Sequence, residues 1–116
     1  MIDSTLRTAA LALQLTFDPV ATEQVVDGTP QTGYAELEPL GAGEVGVWEM
    51  TAGAMSDTEV DELFIVIAGS AEVEFVDTGE KVAYGVGDIG RLHAGQRTIW
   101  RVADRIRKVY ITPPAR

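Results

Sequence analysis

The chain has 116 residues and a mass of 12.5 kDa, the size of one domain with a single core. Hydrophobic residues make up 46% and charged residues 23%, a composition that excludes a disordered or fibrous chain. The net charge of −9 argues against nucleic acid or an anionic membrane surface as a partner, and the lack of cysteine excludes disulfides and cysteine zinc sites. No apolar run resembles a membrane span or a signal peptide, so we expect a cytoplasmic protein.

Residues 1–26 are predicted to form an irregular N-terminal arm in which two alternatives stay open. Ser4 is placed to cap a short helix that runs to Leu13. Residues 11–17 also alternate between apolar and polar positions, as in a strand. Asp18-Pro19 is expected to end either element, because the residue before a proline disfavours the helical region.

Residues 27–116 have the pattern of one all-β domain. Short β-rich runs are separated by glycine-bearing turns at intervals of about 8–12 residues, which is typical of an antiparallel sandwich or small barrel. The predicted strands are residues 46–50, 63–67, 71–76, 81–84, 97–102 and 107–112. The predicted turns are residues 27–30, 41–43, 51–53, 68–70, 77–79, 85–88 and 94–95.

The run at residues 63–67 is apolar on both faces of the predicted strand. One face of an antiparallel sheet normally meets solvent, so this strand needs cover on both sides. The barrel interior would cover one side, and a neighbouring sheet or second subunit the other. We therefore predict a homodimer.

The charge is distributed unevenly along the chain. Residues 1–62 contain one basic and 12 acidic residues, whereas residues 63–116 contain 8 basic and 6 acidic residues. The favoured interpretation is that the two halves interleave in one sheet and neutralise each other locally. The alternative is a binding-site mouth whose acidic wall faces Arg91, Arg97 and Arg101.

Two ordered patterns give the strongest functional signal. They are Gly53-x5-Glu59-x-Asp61-Glu62-x6-Gly69 and Gly87-Asp88-x4-His93-x-Gly95-x2-Thr98-x-Trp100. The spacing of Glu62 and Gly69 resembles the end of the first cupin motif, and Gly87, Asp88 and Gly95 match the second. This resemblance to the cupin superfamily implies a double-stranded β-helix, the cupin jelly-roll barrel, with a pocket inside.

Further residues are similar to one branch of that superfamily, the ureidoglycine aminohydrolase-type cupins. The shared stretches are Gly46-Val47-Trp48-Glu49-Met50-Thr51-Ala52-Gly53, Ile99-Trp100-Arg101-Val102 and the closing Arg107-Lys108-Val109-Tyr110. The resemblance covers about residues 27–112. Lys108 and Tyr110 match the closing strand of that family, and we assign them structural roles.

The resemblance also implies that the metal site of the superfamily is lost. Metal-binding cupins use two histidines and a glutamate of motif 1 and a histidine of motif 2. The histidine positions fall here on Ser56 and Thr58, or on Met55 and Asp57, and on Thr98. Glu62 is the one matching ligand, and the single histidine, His93, lies at a turn position. We therefore expect no metal and no cofactor.

The carboxylates near Glu62 are not expected to replace the missing histidines. Glu59 and Asp61 are interpreted as solvated loop residues rather than as ligands of Ca²⁺ or Mg²⁺. Strand alternation supports this interpretation, because Asp61 and Glu62 would point to opposite faces of the sheet.

The predicted ligand pocket consists of five residues: Glu62, Phe64, Thr98, Trp100 and Trp48. A carboxylate in an apolar barrel needs a partner, or its pKa rises. Glu62 is therefore either a structural residue bonded to Thr98 or to an inward arginine, or a functional one. The functional role would be a catalytic general acid/base or the binding partner of a substrate amine or amide.

These observations predict a cupin that binds a small polar metabolite without a catalytic metal, rather than an enzyme. One alternative is an enzyme related to ureidoglycine aminohydrolase that acts on a ureido or amino compound, with Glu62 as the catalytic carboxylate. Another is a dimeric interaction or regulatory protein whose apolar strand face binds a partner. A serine triad is excluded, since the chain has one histidine and no nucleophile elbow.

Overall fold

The fold is known from a computed structural model that describes residues 7–37, 39 and 41–114. Within these residues, eight strands and one 3-10 turn follow each other. They are β1 (Phe17–Pro19), the 3-10 turn (Thr22–Gln24), β2 (Val25–Asp27), β3 (Gln31–Glu36), β4 (Glu44–Thr58), β5 (Glu62–Phe75), β6 (Glu80–Gly85), β7 (Ile89–Leu92) and β8 (Arg97–Thr112). The all-β prediction is confirmed. No helix in this part of the chain is long and apolar enough to cross a membrane.

All strand pairs are antiparallel, and the three longest strands lie at the centre. The order is β1-β3-β4-β8-β5-β6, with β2 paired to β4 and β7 paired to β5. Along its whole length, β8 pairs with β4 on one side and with β5 on the other. The far edge of β4 pairs first with β3 and then with β2, and the far edge of β5 pairs first with β7 and then with β6. Because β4, β5 and β8 bend, both halves contribute inward side chains to one core. The largest fully buried side chains in that core are Phe64, Met50, Leu92 and Ile106.

Two predicted turns, residues 51–53 and 68–70, lie inside β4 and β5, so these predictions are wrong. Both sites are irregularities of the strand register rather than chain reversals. Gly69 has φ +70°, and an added Cβ would overlap the carbonyl oxygen of Arg105 in β8. Here glycine permits a bend and a close backbone approach, which a sequence pattern does not distinguish from a hairpin turn.

The N-terminal arm contains neither of its two predicted elements in the described residues. Residues 10–12 form a turn, and residues 13–16 are irregular. Asp18-Pro19 forms the last two residues of β1, which pairs with β3 at the sheet edge. Proline is tolerated at such an edge because its missing N–H is not needed there. The proposed cap residue, Ser4, lies outside the described residues.

The arm is held to the outer sheet face by Arg107. Its guanidinium donates a hydrogen bond to Glu49 at 2.7 Å. It also donates to the backbone carbonyls of Ala10, Leu11 and Leu13 at 2.8, 3.2 and 2.8 Å. Arg107 and Glu49 are only 6% and 7% exposed. A buried pair of this kind keeps its charges only because every donor and acceptor finds a partner.

The apolar run of β5 leaves part of the outer face exposed. Leu63 and Ile65 lie beside Ile89 of β7 and beside Val109 and Ile111 of β8. Ile89 is 64% exposed. The homodimer stays a prediction, and the mass in solution tests it; a monomer at micromolar concentration would contradict it.

We expect Arg107→Met to destabilise the fold by about 3 kcal/mol, because the buried Glu49 carboxylate loses its hydrogen-bonded partner and keeps only the half-exposed Arg105 at 3.8 Å. Urea unfolding measures this loss, and amide hydrogen exchange should rise in residues 9–16. The control is Arg97→Met, which breaks an exposed pair with Asp77 and should cost clearly less, because solvent screens exposed ion pairs. Equal losses in the two variants would show that the buried pair does not hold the arm.

Candidate functional site

One end of the core opens into a cavity of about 220 Å³. Its lining comes from β3, β4, β5 and β8 and from the connection between β4 and β5. The residues that line it are Tyr34, Trp48, Met55, Asp57, Glu59, Glu62, Trp100, Lys108 and Tyr110. Four of these nine side chains carry ionisable charge and four are aromatic. The lining of the cavity therefore combines charged groups with aromatic rings.

The partner of Glu62 is Lys108, from β8. The Lys108 Nζ atom lies 2.6 Å from the Glu62 carboxylate. The same atom lies 4.7 Å from the centre of the Trp48 ring and 4.6 Å from those of Phe64 and Trp100. Cation–π attraction and the ion pair together offset the cost of removing this ammonium from water. Lys108 is 5% exposed, so it lies at the base of the cavity.

Glu59 is buried, so its interpretation as a solvated loop residue is wrong. Its carboxylate accepts hydrogen bonds from Thr98 Oγ1 at 2.6 Å and Trp100 Nε1 at 3.0 Å. The backbone of Glu59 pairs with Gln96 and Gly95 of the turn before β8, which directs the side chain inward. Thr98 therefore bonds Glu59 rather than Glu62. The signal in the sequence was the pair of inward-facing donors, Thr98 and Trp100, which needed an acceptor.

Asp57 is the most perturbed carboxyl group of the cavity. Burial and the neighbouring charge of Glu59 raise its pKa to about 6, while a backbone hydrogen bond at Thr58 and the charge of Lys108 partly oppose this rise. No side chain in the described residues donates a hydrogen bond to it. A carboxyl group in this state changes protonation near neutral pH and can exchange a proton or bind a donor.

The structure shows which of the two alternative residue pairs occupies the positions of the two motif 1 histidines. Met55 and Asp57 line the cavity, whereas Ser56 points away and donates to the Gln24 carbonyl. Among the described residues, no three histidine, aspartate or glutamate side chains are grouped so that they could hold a metal ion. The residues present thus do not fit the metal site of the superfamily.

Aromatic side chains shape the walls and mouth of the cavity. Trp48 packs edge-on against Trp100 with ring centres 5.6 Å apart. The hydroxyl end of Tyr110 lies against Gly46 of β4, where an added Cβ would overlap it. Burial raises the pKa of Tyr110 to about 12, helped by the carboxylates of Glu44 and Glu36. Tyr110 therefore remains a neutral phenol throughout the physiological range.

The five predicted pocket residues lie close together, but not all of them line the cavity. Glu62, Trp48 and Trp100 line the cavity. Phe64 lies behind it against Lys108, and Thr98 is fully buried beneath Glu59. Whether these residues bind a ligand stays a prediction. The predicted pocket left out four lining residues, Tyr34, Met55, Asp57 and Glu59, and Lys108 and Tyr110 were given only structural roles.

The three arginines of the alternative interpretation, which placed them opposite an acidic wall, do not line this cavity. Arg91 pairs with Asp61, Arg97 with Asp77 and Arg101 with Glu74. The pair of Arg91 and Asp61 joins the two halves of the chain, as do those of Lys108 with Glu62 and Arg107 with Glu49. This pattern matches the local neutralisation that the uneven charge predicts.

The family follows from a comparison with known proteins. Residues 37–110 match the model of the EutQ-like cupin domain. The chain belongs to the EutQ-like cupin family. This membership confirms the resemblance to the cupin superfamily. Among curated proteins, nothing matches the chain.

Similar solved structures share the cupin fold. The chain resembles a Pseudomonas syringae protein of unknown function, with TM-score 0.76 and 24% identity over 90% of this chain and 46% of that one. This cupin therefore spans under half of that relative. It also resembles the EutQ protein of Clostridium difficile, with TM-score 0.67 and 25% identity over 84% and 77% of the two chains.

An ectoine synthase from P. lautus has TM-score 0.62 and 21% identity over 83% of this cupin and 73% of its own chain. Proteins with different names thus share this architecture, and a shared fold does not identify the ligand. Together with the antiparallel sheet, these likenesses confirm the predicted jelly-roll barrel.

The raised pKa of Asp57 gives a stability test. Its value of about 6 lies above the ordinary 3.8, so ionisation destabilises the fold as pH rises through 6. After allowance for solvent screening, we expect Asp57→Asn to raise the free energy of unfolding by about 1–2 kcal/mol near pH 8 and by little near pH 4. Urea unfolding at both pH values measures this. The control, Asp104→Asn, removes an exposed carboxylate, and an equal gain there would contradict the assignment.

Proposed function

We propose that this cupin binds a small polar metabolite in its barrel, without a catalytic metal. The observation that supports this most is the cavity of about 220 Å³, in which charged side chains are set among aromatic walls. Concave sites with a few fixed polar groups are the usual form of metabolite sites. The volume lies below the usual range of about 300–1,000 Å³ for drug-sized ligands, which favours a small molecule.

The side chains at the metal-ligand positions of the superfamily support a function without a metal. A firmly bound transition metal needs several imidazole and carboxylate ligands that converge at about 2.0–2.3 Å. The histidine positions of the superfamily hold Met55, Asp57 and Thr98 here. The remaining ligand position, Glu62, is already paired with Lys108. Replacing that pair by a metal ion would leave the ammonium without its counter-charge.

The second candidate is an enzyme related to ureidoglycine aminohydrolase. The similar sequence around Trp48 and Trp100 supports it, and Asp57 adds an observation of its own. A carboxyl group with a pKa of about 6 suits general acid/base work near neutral pH. In such a hydrolysis, water would replace an amino group and ammonia would leave. Ammonia release from a ureido compound tests this candidate.

Binding can be measured through the two tryptophans of the chain, because both line the cavity. The probes are ethanolamine, ectoine and N-carbamoylglycine. The first two are chosen because structural neighbours include a putative ethanolamine utilization protein from Salmonella typhimurium and an ectoine synthase. We expect at least one probe to change the tryptophan fluorescence and raise the melting temperature. At 100 times Kd, binding stabilises a fold by about 2.7 kcal/mol.

The variant that tests the site is Glu62→Gln, which frees Lys108 and should weaken binding about tenfold. Its control is Glu72→Gln, the same change on the exposed face of the same strand. The proposal fails if no probe, including those of the next subsection, alters the fluorescence. It also fails if the two variants bind a responding probe equally well.

A further inference from the structure

The cavity carries more negative than positive charge. Asp57, Glu59 and Glu62 face it together with one ammonium group, that of Lys108. Lys108 is paired with Glu62 at 2.6 Å. The negative charges of Asp57 and Glu59 therefore have no positive side chain of the cavity to compensate them. In a cavity with apolar walls, such an excess is screened less than on an open surface.

The hydrogen bonds in the cavity do not cancel this excess. The two donors to Glu59 are the Thr98 hydroxyl and the Trp100 indole, which are both neutral. Asp57 receives no side-chain hydrogen bond from the described residues, and the charge of Glu59 is one cause of its raised pKa. A ligand that brought positive charge would relieve this repulsion and donate a hydrogen bond to Asp57 in addition to the backbone one at Thr58.

The aromatic walls favour the same ligand charge. The ammonium of Lys108 already lies 4.6 to 4.7 Å from three ring centres, a geometry in which ring faces attract cations. Tyr34 and Tyr110 extend the aromatic lining to the mouth, where Tyr34 is 64% exposed. An anionic ligand would find one cation, and that cation is bound to Glu62.

The mouth of the cavity is acidic as well. Glu36 and Glu44 are close enough to Tyr110 for their charges to raise its pKa. In the part of the chain that the structure describes, neither glutamate forms a salt bridge. A concave site with this rim attracts cations before they bind, and the net charge of −9 adds to the field.

We propose that the cavity selects small metabolites with a cationic nitrogen, an ammonium or guanidinium end that pairs with Asp57 and Glu59. The inference rests on the proposed binding function and specifies its ligand class. The exposed mouth at Tyr34 leaves the other end of the ligand free to be apolar or polar, so the selected feature is the charge.

A matched series of four-carbon probes tests the selection: butylamine, butan-1-ol and butyrate, titrated against tryptophan fluorescence at about pH 8 and constant low ionic strength. We expect butylamine to bind at least about tenfold more tightly than either of the others, as charge-assisted hydrogen bonds do. Asp57→Asn should weaken butylamine binding about tenfold and leave butan-1-ol unaffected. The control is Asp104→Asn, which should change neither.

The outcomes separate this inference from the proposed function. If butan-1-ol or butyrate binds as tightly as butylamine, or if the two aspartate variants bind butylamine equally, the selection for cations is overturned while a ligand cavity remains. If no probe of any charge changes the fluorescence, the binding function itself is overturned. Loss of folding does not obscure the result, because Asp57→Asn removes an unfavourable buried charge.

Discussion

The burial of one ammonium group is the constraint on which the cavity depends. Lys108 comes from β8, its counter-charge Glu62 from the start of β5, and its aromatic neighbours from β4, β5 and β8. Removing the ammonium from water is compensated only while all these groups stay in position. The registers of three long strands are therefore coupled to one side chain. A shift by one residue in any of them would turn its partners to the opposite face.

The same constraint explains why the cavity is rich in acid. Glu62 is paired with Lys108, whereas Asp57 and Glu59 line the same cavity and form no salt bridge with the described residues. Glu59 is stabilised by two neutral donors, and Asp57 is not. The site thus combines one fully compensated carboxylate, one that is hydrogen-bonded and one that is poorly satisfied. Such unequal environments are how a fold makes chemically similar groups respond differently.

Much of the fold could be predicted from the sequence because it rests on short-range patterns. Glycine turns and alternation in residues 71–76 predict antiparallel strands, and the spacing from Glu62 to Gly69 resembles the cupin motif. Gly69 was predicted wrongly, because a bend within a strand and a hairpin turn both use the positive φ that glycine allows. Its role depends on the Arg105 carbonyl in another strand, which no local pattern contains.

The candidate site could be predicted only in part, for a similar reason. The resemblance to cupins predicts that Glu62 and Trp100 share one pocket, and both line the cavity. Glu59 lies in a connection, where alternation does not apply, and its direction is set by backbone pairing with the turn before β8. The importance of Lys108 depends on three rings from separate strands. Contacts of this kind are long-range, so their partners cannot be identified from spacing.

The attachment of the N-terminal arm has a consequence for how freely its sequence can change. Arg107 recognises main-chain oxygens of Ala10, Leu11 and Leu13 and none of their side chains. Many amino acids at those three positions would present the same oxygens. The sequence of this segment can therefore vary widely, in evolution or by design. Only the path of its backbone and the Arg107 guanidinium that donates to it need to be preserved.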